Sequence, residues 1–340
     1  MQQRAFATVI EVVNTNDGAI RVVTEFGPAI AYTDLVGPLR VGSQILINRT
    51  ANVLKLGTGG FDFVVAVLDQ TIQDDSQQSG HIIKLRYTPS QLAVSTLEER
   101  PELVDIWDRN LDSFPVVVCQ LHSQIAHVAA SVSAAGKRVV YIMTDSASLP
   151  YAFSNLARQL KAAGLLLASI TAGQAFGGDF ETVTVHSALL AAKYYLHSDV
   201  AIVAQGPGNA GTGTTYGFGG IDQANLLDIA SALGGIPIAV LRASDADLRP
   251  RHRGISHHTT TVLKLVRSAC TIPIPPGMMN LSLDSRHKIV EIADFRMAYD
   301  LLDRLEIRVT TMGRDPDGDR LFFDCSAAAG AYAASLGENN

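Results

Sequence analysis

The sequence predicts an α/β protein, a doubly wound and mainly parallel sheet of about six strands preceded by a small N-terminal β-barrel-like module. Three observations lead there. Short β-rich runs punctuated by Gly and Pro fill residues 1–68. Beyond about residue 112, apolar runs alternate with helical stretches, the pattern of a sheet with crossover helices. Those apolar runs are continuous, as strands covered on both faces must be. The 340 residues suit two domains. With 47% hydrophobic and 18% charged residues the chain can bury a large core. The expected division is a small all-β module of OB or SH3 type at 1–80, a connecting segment at 81–112, and an α/β domain at 113–340 with a β-rich C-terminal extension.

In the first module, residues 5–13 and 19–26 are β-rich, and Asn16-Asp17-Gly18 between them reads as a hairpin turn, Gly18 supplying positive φ. Further short runs at 29–33, 43–49 and 61–68 are separated by Gly37-Pro38, Gly42 and residues 57–60. Phe6, Phe26, Phe61 and Phe63 are expected in its core, which makes an accessory or dimerisation module a better reading than a nucleic-acid-binding OB fold. Residues 69–80 are polar and glutamine-rich and read as a linker. His81–Tyr87 is strand-like, and Glu98–Asn110 is acidic and helical with Pro101 near its start.

Six core strands are expected at Pro115–Leu121, Arg138–Met143, Leu165–Ile170, Asp199–Ala204, Ile236–Leu241 and Cys270–Ile274. Helices fall between them at Ile125–Ala135, Tyr151–Ala163, Thr182–Leu196, Asp222–Leu233 and Thr259–Arg267. The tail reads as a helix near Phe295–Leu305, then strands near Ile307–Met312 and Arg320–Asp324 about a turn at 315–318.

Composition narrows the function classes. A net charge of −6 and a pI near 5.8 rule out a generally basic, phosphate-gripping surface, so nucleic acid is an unfavoured partner. Cys119, Cys270 and Cys325 are distant and odd in number, with no C-x-x-C; neither a disulfide framework nor a cysteine zinc site is expected, and a reducing cytoplasm fits. Met1–Val13 does not read as a signal peptide, and the run 162–172 is far short of a membrane span.

Polar motifs follow the strands. They are residues 121–124, 144–148, 171–181, 206–220 and 242–258. Ligands in open α/β sheets bind outside the carboxyl ends of the strands, so these five loops define a crevice. The turns expected at the other edge, at 134–136, 163–164 and 233–235, look like glycine C-caps.

The strings Met143-Thr144-Asp145, Ala175-Phe176-Gly177-Gly178-Asp179, Gly206-Pro207-Gly208, Gly211-Thr212-Gly213-Thr214 and His252-Arg253-Gly254-Ile255-Ser256-His257-His258-Thr259 resemble a bacterial family designated by a domain of unknown function, number 3866. Residues 56–60 and 85–89 extend the resemblance into the N-terminal half. It implies a bacterial cytosolic protein and supplies no activity, so the chemistry must come from the residues.

Residues 206–211 satisfy G-x-G-x-x-G after a strand, but Pro207 removes a donor and the helix is delayed to about Asp222, unlike the dinucleotide fingerprint. The amides of Gly206, Gly208, Gly211 and Gly213 with the Thr212 and Thr214 hydroxyls suit an anion-binding nest. Arg242, Arg251 and Arg253 supply guanidinium groups for carboxylate or phosphate. His257 and His258, expected in the first turn of a helix beginning near Ser256, are held neutral by its dipole, the form used for general-base work or metal ligation. They are catalytic candidates together with Asp145 and His122. Asp179 and Glu181 are candidate ligand contacts or helix caps. A divalent ion on His252, His257 and His258 with Asp247 is a further candidate.

Together these features predict a crevice for a small anionic ligand, phosphorylated or nucleotide-like, in an enzyme acting on it. The alternatives are a non-catalytic sensing or interaction protein and an NADP-linked oxidoreductase. A nucleotide or a divalent metal is the cofactor compatible with the loops, a homo-oligomer is compatible with the accessory module, and no membrane is involved.

Overall fold

The computed structural model describes residues 2–16, 18–57, 59–69, 80–278 and 284–336. The expected linker thus lies almost wholly outside the described residues, as do Asp17 of the first expected turn and Thr58. The chain forms two compact units, Met1–Ser95 with Pro150–Phe153, and Thr96–Leu149 with Ser154–Asn340.

The first unit contains strands β1 (Arg4–Thr8), β2 (Glu11–Asn16), β3 (Ala19–Thr24) and β4 (Gly27–Tyr32), the one-turn helix α1 (Thr33–Val36), β5 (Gln44–Asn48), the one-turn helix α2 (Thr50–Val53) and β6 (Asp62–Val67). A separate hairpin pairs β7 (Ile82–Lys84) with β8 (Leu92–Val94). The six longer strands make one mixed sheet in the order β1-β5-β6-β4-β3-β2. All its ladders are antiparallel except β4–β6. No ladder joins β1 to β2 among the described residues, so the observation is a six-stranded mixed sheet rather than a closed barrel. The single run expected at 5–13 is two strands with different partners, β5 and β3.

Alternation places Ala7, Ile20, Val22, Ala29, Ala31, Ile45 and Ile47 in the core. It turns Phe6 outward, 72% exposed, and Phe26, in the turn between β3 and β4, is 42% exposed, correcting their expected burial. Phe61 and Phe63 instead pack against Ala19, Ile30, Tyr32 and Ala152. Gly18, at φ 75°, has no room for a side chain, because a Cβ there would lie 3.0 Å from that of Ala152.

The second unit is built on an eight-stranded sheet, all of whose ladders are parallel. In chain order its elements are β9 (Pro115–Val118), α3 (Ile125–Ala134), β10 (Val139–Thr144), α4 (Asn155–Ala162), β11 (Ala168–Ala172), β12 (Phe180–Thr182), α5 (Val185–Tyr194), β13 (Val200–Gln205), α6 (Gln223–Ala232) and β14 (Ile236–Ala239). There follow a two-stranded antiparallel pair β15 (Ala243–Ser244) and β16 (Gly254–Ile255), then α7 (His257–Leu265), β17 (Thr271–Ile274), β18 (Lys288–Glu291), α8 (Arg296–Arg304) and α9 (Arg320–Ser335). The sheet order is β12-β11-β10-β13-β9-β14-β17-β18. The expected count of about six is corrected to eight. The two added strands lie at the edges, where three or four residues suffice. Helices α3, α4, α8 and α9 pack together as one layer, and α5, α6 and α7 as another.

The expected β-rich extension is a second correction. Arg320–Ser335 is a sixteen-residue helix, and 307–312 contributes only an isolated bridge, Thr311 to Arg314. Leu321-Phe322-Phe323 resembles a strand, but residues 325–334 are mostly alanine, a strong helix former. The small residues let α9 approach α3 closely. A Cβ on Gly330 would lie 2.5 Å from the Val128 carbonyl oxygen, so only glycine fits.

Candidate functional site

The chain leaves β9 toward β10 but leaves β14 toward β17, on the other side. Likewise β10 is followed by β11 and β13 by β14. Diverging exits of this kind open crevices at the carboxyl ends of strands, and the polar loops gather there.

Four buried glutamines, of which only Gln124 falls in the 121–124 motif and none was a candidate site residue, stitch that edge together. Gln223 Nε2 donates to the Val118 carbonyl (2.7 Å) and the Val240 carbonyl (3.0 Å), joining the ends of β9 and β14. Gln124 Nε2 donates to the Leu241 carbonyl (2.9 Å), while its Oε1 accepts from the Gln120 and Leu121 amides. Gln205 Nε2 donates to the Gln120 carbonyl (3.0 Å) and to Asn209 Oδ1 (2.9 Å). Gln120 Nε2 donates to Gln223 Oε1 (3.3 Å). The sequence signal, in hindsight, is a glutamine embedded at the end of an apolar strand run.

Beyond β14 stands Arg242, buried, whose Nη1 is 2.8 Å from His258 Nδ1. A guanidinium only donates, so Nδ1 is the acceptor and the ring proton of the neutral imidazole sits on Nε2. The His258 ring lies flat on Phe218, with centroids 3.7 Å apart and planes at 4°. Its Nε2 is buried with no partner, and so is Nε2 of His257. The His257 and His252 ring centroids lie 4.3 and 4.9 Å from that of His258. Ser256 organises the group. Its hydroxyl caps α7 by accepting from the His258 amide (3.2 Å) and meets His252 Nδ1 at 2.7 Å.

Charge around this cluster is unbalanced. Burial pushes the Arg242 guanidinium down to about 10, aided by the neighbouring Arg249, Arg314 and Arg251 and opposed by Asp247. Asp247 is engaged by Arg249 through two nitrogens (2.9 and 2.7 Å) and by Arg314 at 3.7 Å, and Asp319 by Arg314 at 2.9 Å. Among the described residues no carboxylate pairs with Arg242, Arg251 or Arg253. Burial, then Arg242, pushes His258 down to about 3 and His252 to about 4. His257 is lowered for the same reasons, burial first and then Arg251. All three are neutral bases at physiological pH.

The glycine loop reaches this cluster, since a Cβ on Gly211 would lie 3.8 Å from His258 Cε1. Gly206 is required by a close approach, its Cβ position being 2.5 Å from the Ser148 carbonyl oxygen, and Gly208 by φ 97°. The Thr212 amide donates to the Gly217 carbonyl, the Thr214 amide to Thr212 Oγ1 and the Gly217 amide to Thr214 Oγ1. The turn thus spends on itself much of the donor capacity expected of an anion nest. It exposes Gly213 at its tip and opens onto helix α6 only after a 3-10 segment, Gly219–Asp222.

The remaining candidates lie apart in function. His122 is fully engaged: Nε2 is 2.6 Å from Ser154 Oγ, and Nδ1 is 3.2 Å from both the Gln205 carbonyl and the Tyr141 hydroxyl, with burial holding it near pKa 4. Asp145 accepts from the Gln174 amide (2.8 Å). Asp179 binds Ser169 and Lys161, and Glu181 binds Thr171 Oγ1 and the Gly177 amide, so both brace the β11–β12 loop. Neither caps α5, whose N-cap is Thr184. Ligand atoms of His252, His257 and His258 lie within 4.8 Å of one another, but Asp247 is not among the groups gathered there. The three cysteines are buried free thiols, with burial raising the pKa of each.

A family model described as protein of unknown function (DUF3866) matches residues 28–330, and the chain belongs to that family. No curated protein and no solved structure matches the chain.

Proposed function

We propose that the chain binds a small anionic ligand, phosphorylated or nucleotide-like, over Arg242 and His258, and that His257 serves as the base or acid of a reaction on it. One observation carries this reading: a buried guanidinium whose only side-chain hydrogen-bond partner among the described residues is a neutral imidazole. Burying an unpaired charge costs several kcal/mol, and an anionic ligand removes that cost. Arg242 also fixes the His258 tautomer, so the Nε2–H is a second donor held ready. Arg251 and Arg253, without a carboxylate partner among the described residues, extend the positive field toward solvent. The buried free thiols fit action in a reducing, cytoplasmic setting, as the sequence suggests.

The three clustered histidines favour a second reading, a divalent metal site. Ligation through His258 Nε2 would move the ring proton to Nδ1, against the N–H of Arg242, and add positive charge beside an unpaired guanidinium. The anion reading needs no such rearrangement. The two readings differ in the sign of their pH dependence. Anion binding raises the depressed pKa values of His252 and His257, takes up protons there and tightens on acidification, while His258 stays neutral with Nδ1 accepting from Arg242. Metal binding requires neutral rings and weakens. Sulfate, whose charge is constant over about pH 6–8 while the histidines near it are titratable, is the probe. Calorimetry in buffers of different ionisation enthalpy should show sulfate binding more tightly at the lower pH with net proton uptake. Failure of sulfate, inorganic phosphate and nucleotides all to bind, with stoichiometric Zn²⁺ uptake instead, would replace the anion by the metal.

A further inference from the structure

A second polar cavity lies at the same strand edge, between the ends of β10 and β13, and its chemistry is the reverse. It is about 10 Å³ in volume, room for one water-sized occupant. Gln120, Thr144 and Gln205 line it, each at least nine-tenths buried, and Gln120 Oε1, Thr144 Oγ1 and Gln205 Oε1 have no hydrogen-bond partner. The amide orientations are fixed by the backbone. Gln205 Nε2 faces the Gln120 carbonyl, so its Oε1 points elsewhere. Gln223 must present Nε2 to the Val118 and Val240 carbonyls, so its Oε1 accepts from Gln120 Nε2, which leaves Gln120 Oε1 free.

Further oxygens converge there. A Cβ on Gly219 would lie 3.1 Å from both Gln205 Oε1 and the Ser146 carbonyl oxygen, and only glycine keeps that space open. Asp222 also lines the cavity. Its carboxylate accepts from Ser146 Oγ (2.8 Å) and Asn225 Nδ2 (3.2 Å), and no Lys, Arg or His pairs with it among the described residues.

We infer that this cavity is a site for one desolvated monovalent cation, Na⁺, K⁺ or NH₄⁺. Unpartnered hard oxygens select a hard cation over softer metals. A single carboxylate among neutral oxygens balances one positive charge. The space is too small for the retained waters that Mg²⁺ demands or the six to eight oxygens of Ca²⁺. An anion is disfavoured by the two amide oxygens, which only accept, and by the Asp222 carboxylate; the Thr144 hydroxyl alone could donate. The site does not depend on the anion reading. It shares with it only the chain between Phe218, which stacks on His258, and Gly219, which abuts Gln205.

The test uses the full chain exchanged into choline chloride. Thermal unfolding is followed while choline is replaced by KCl, NaCl or NH₄Cl at constant ionic strength, and crystals are soaked in Tl⁺ or Rb⁺. Expected are a saturable rise in Tm with at least one of the three small cations and one anomalous peak among Gln120, Thr144 and Gln205. Thr144→Val, close to isosteric, should weaken the apparent cation affinity about tenfold, and Asp222→Asn should do so without altering the cavity's shape. A uniform Tm in all four salts, or an ordered water with no anomalous signal in the parent protein, would overturn the inference. The crystallographic arm decides the matter even if neither variant folds.

Discussion

Two buried polar clusters share the carboxyl edge of the large sheet, and they are chemical opposites. After β14, the Nε2–H of His258 is a donor without an acceptor, and Arg242, which donates to the same ring's Nδ1, has no carboxylate partner among the described residues. Between β10 and β13, the side-chain amide oxygens of Gln120 and Gln205 are acceptors without a donor, and the Thr144 hydroxyl beside them is unpartnered. Hydrogen bonds satisfy nearly all buried polar atoms in folded proteins, so unpartnered atoms of opposite character on the two sides of one loop select ligands of opposite polarity. The sign of those atoms, rather than residue type alone, specifies the ligand: histidine and glutamine each donate or accept, and only their fixed partners decide which.

The largest expected effect tests the positive cluster. Arg242→Met keeps the length of the side chain and removes the charge. A charge-assisted hydrogen bond contributes about 1.5–3 kcal/mol, so sulfate affinity should fall about ten- to hundredfold. Because an unpaired buried charge is also lost, the unliganded variant should unfold at a higher temperature than the parent, a gain of order 1 kcal/mol. Loss of both binding and stability would mean that Arg242 is a structural element whose partner is already present.

A third buried histidine sharpens the contrast. His127, on α3, has both ring nitrogens unpartnered, yet it packs at 4.7 Å against the edge of Tyr299 and at 4.8 Å from Phe323. Burial, then Arg320, pushes it down to about 3. Its neighbours are aromatic rings rather than an unpaired cation, so it belongs to the packing of α3 against α8 and α9 and to no proposed ligand site. All the depressed histidines act alike on stability. The unfolded chain takes up their protons near pH 6.5, the native state only near 3 to 4. Stability is therefore full above about pH 6.5 and declines as the pH falls through that window, by up to ~1.4 kcal/mol per pH unit for each such group. His127→Phe should remove one group's share of the acid slope and leave sulfate affinity unchanged. An unaltered slope in urea titrations at pH 5 and pH 7 would show that His127 titrates normally.

The sequence exposed some of this more readily than the rest. Long apolar runs covered on both faces carry their own signal, and the six expected strands match β9, β10, β11, β13, β14 and β17 to within a few residues. Ser256 before His257-His258 announced the α7 cap. The added edge strands were not legible, because Phe180–Thr182 hides in a polar loop and Lys288–Glu291 is only half apolar. Helix α9 was hidden because its aromatic start imitates a strand while its small residues serve a helix–helix contact. The site was half legible. Arginine and histidine at a strand end are conspicuous, whereas glutamines read as solvent-facing until backbone carbonyls at the ends of two strands, β9 and β14, are seen to orient them. No linear pattern could show that Arg242 has no carboxylate partner among the described residues or that His258 is protonated on Nε2.

The smallest expected effect lies at the outer margin of the positive cluster. Arg251 and Arg253, expected from the sequence to contact an anion alongside Arg242, are both exposed, with no carboxylate partner among the described residues. Exposed charges act through solvent and salt, and beyond the Debye length of about 10 Å at 0.1 M they contribute little. They should therefore steer the ligand rather than hold it. Arg251→Ala and Arg253→Ala should each slow sulfate or nucleotide association about two- to threefold at low salt, with dissociation unchanged and the difference gone at high salt. Arg4→Ala, on β1, should do neither. Should either variant instead accelerate dissociation as strongly as Arg242→Met, the ligand would extend out over the 250–253 turn and the buried guanidinium would be one contact of several, which favours a nucleotide-sized ligand over a simple oxyanion.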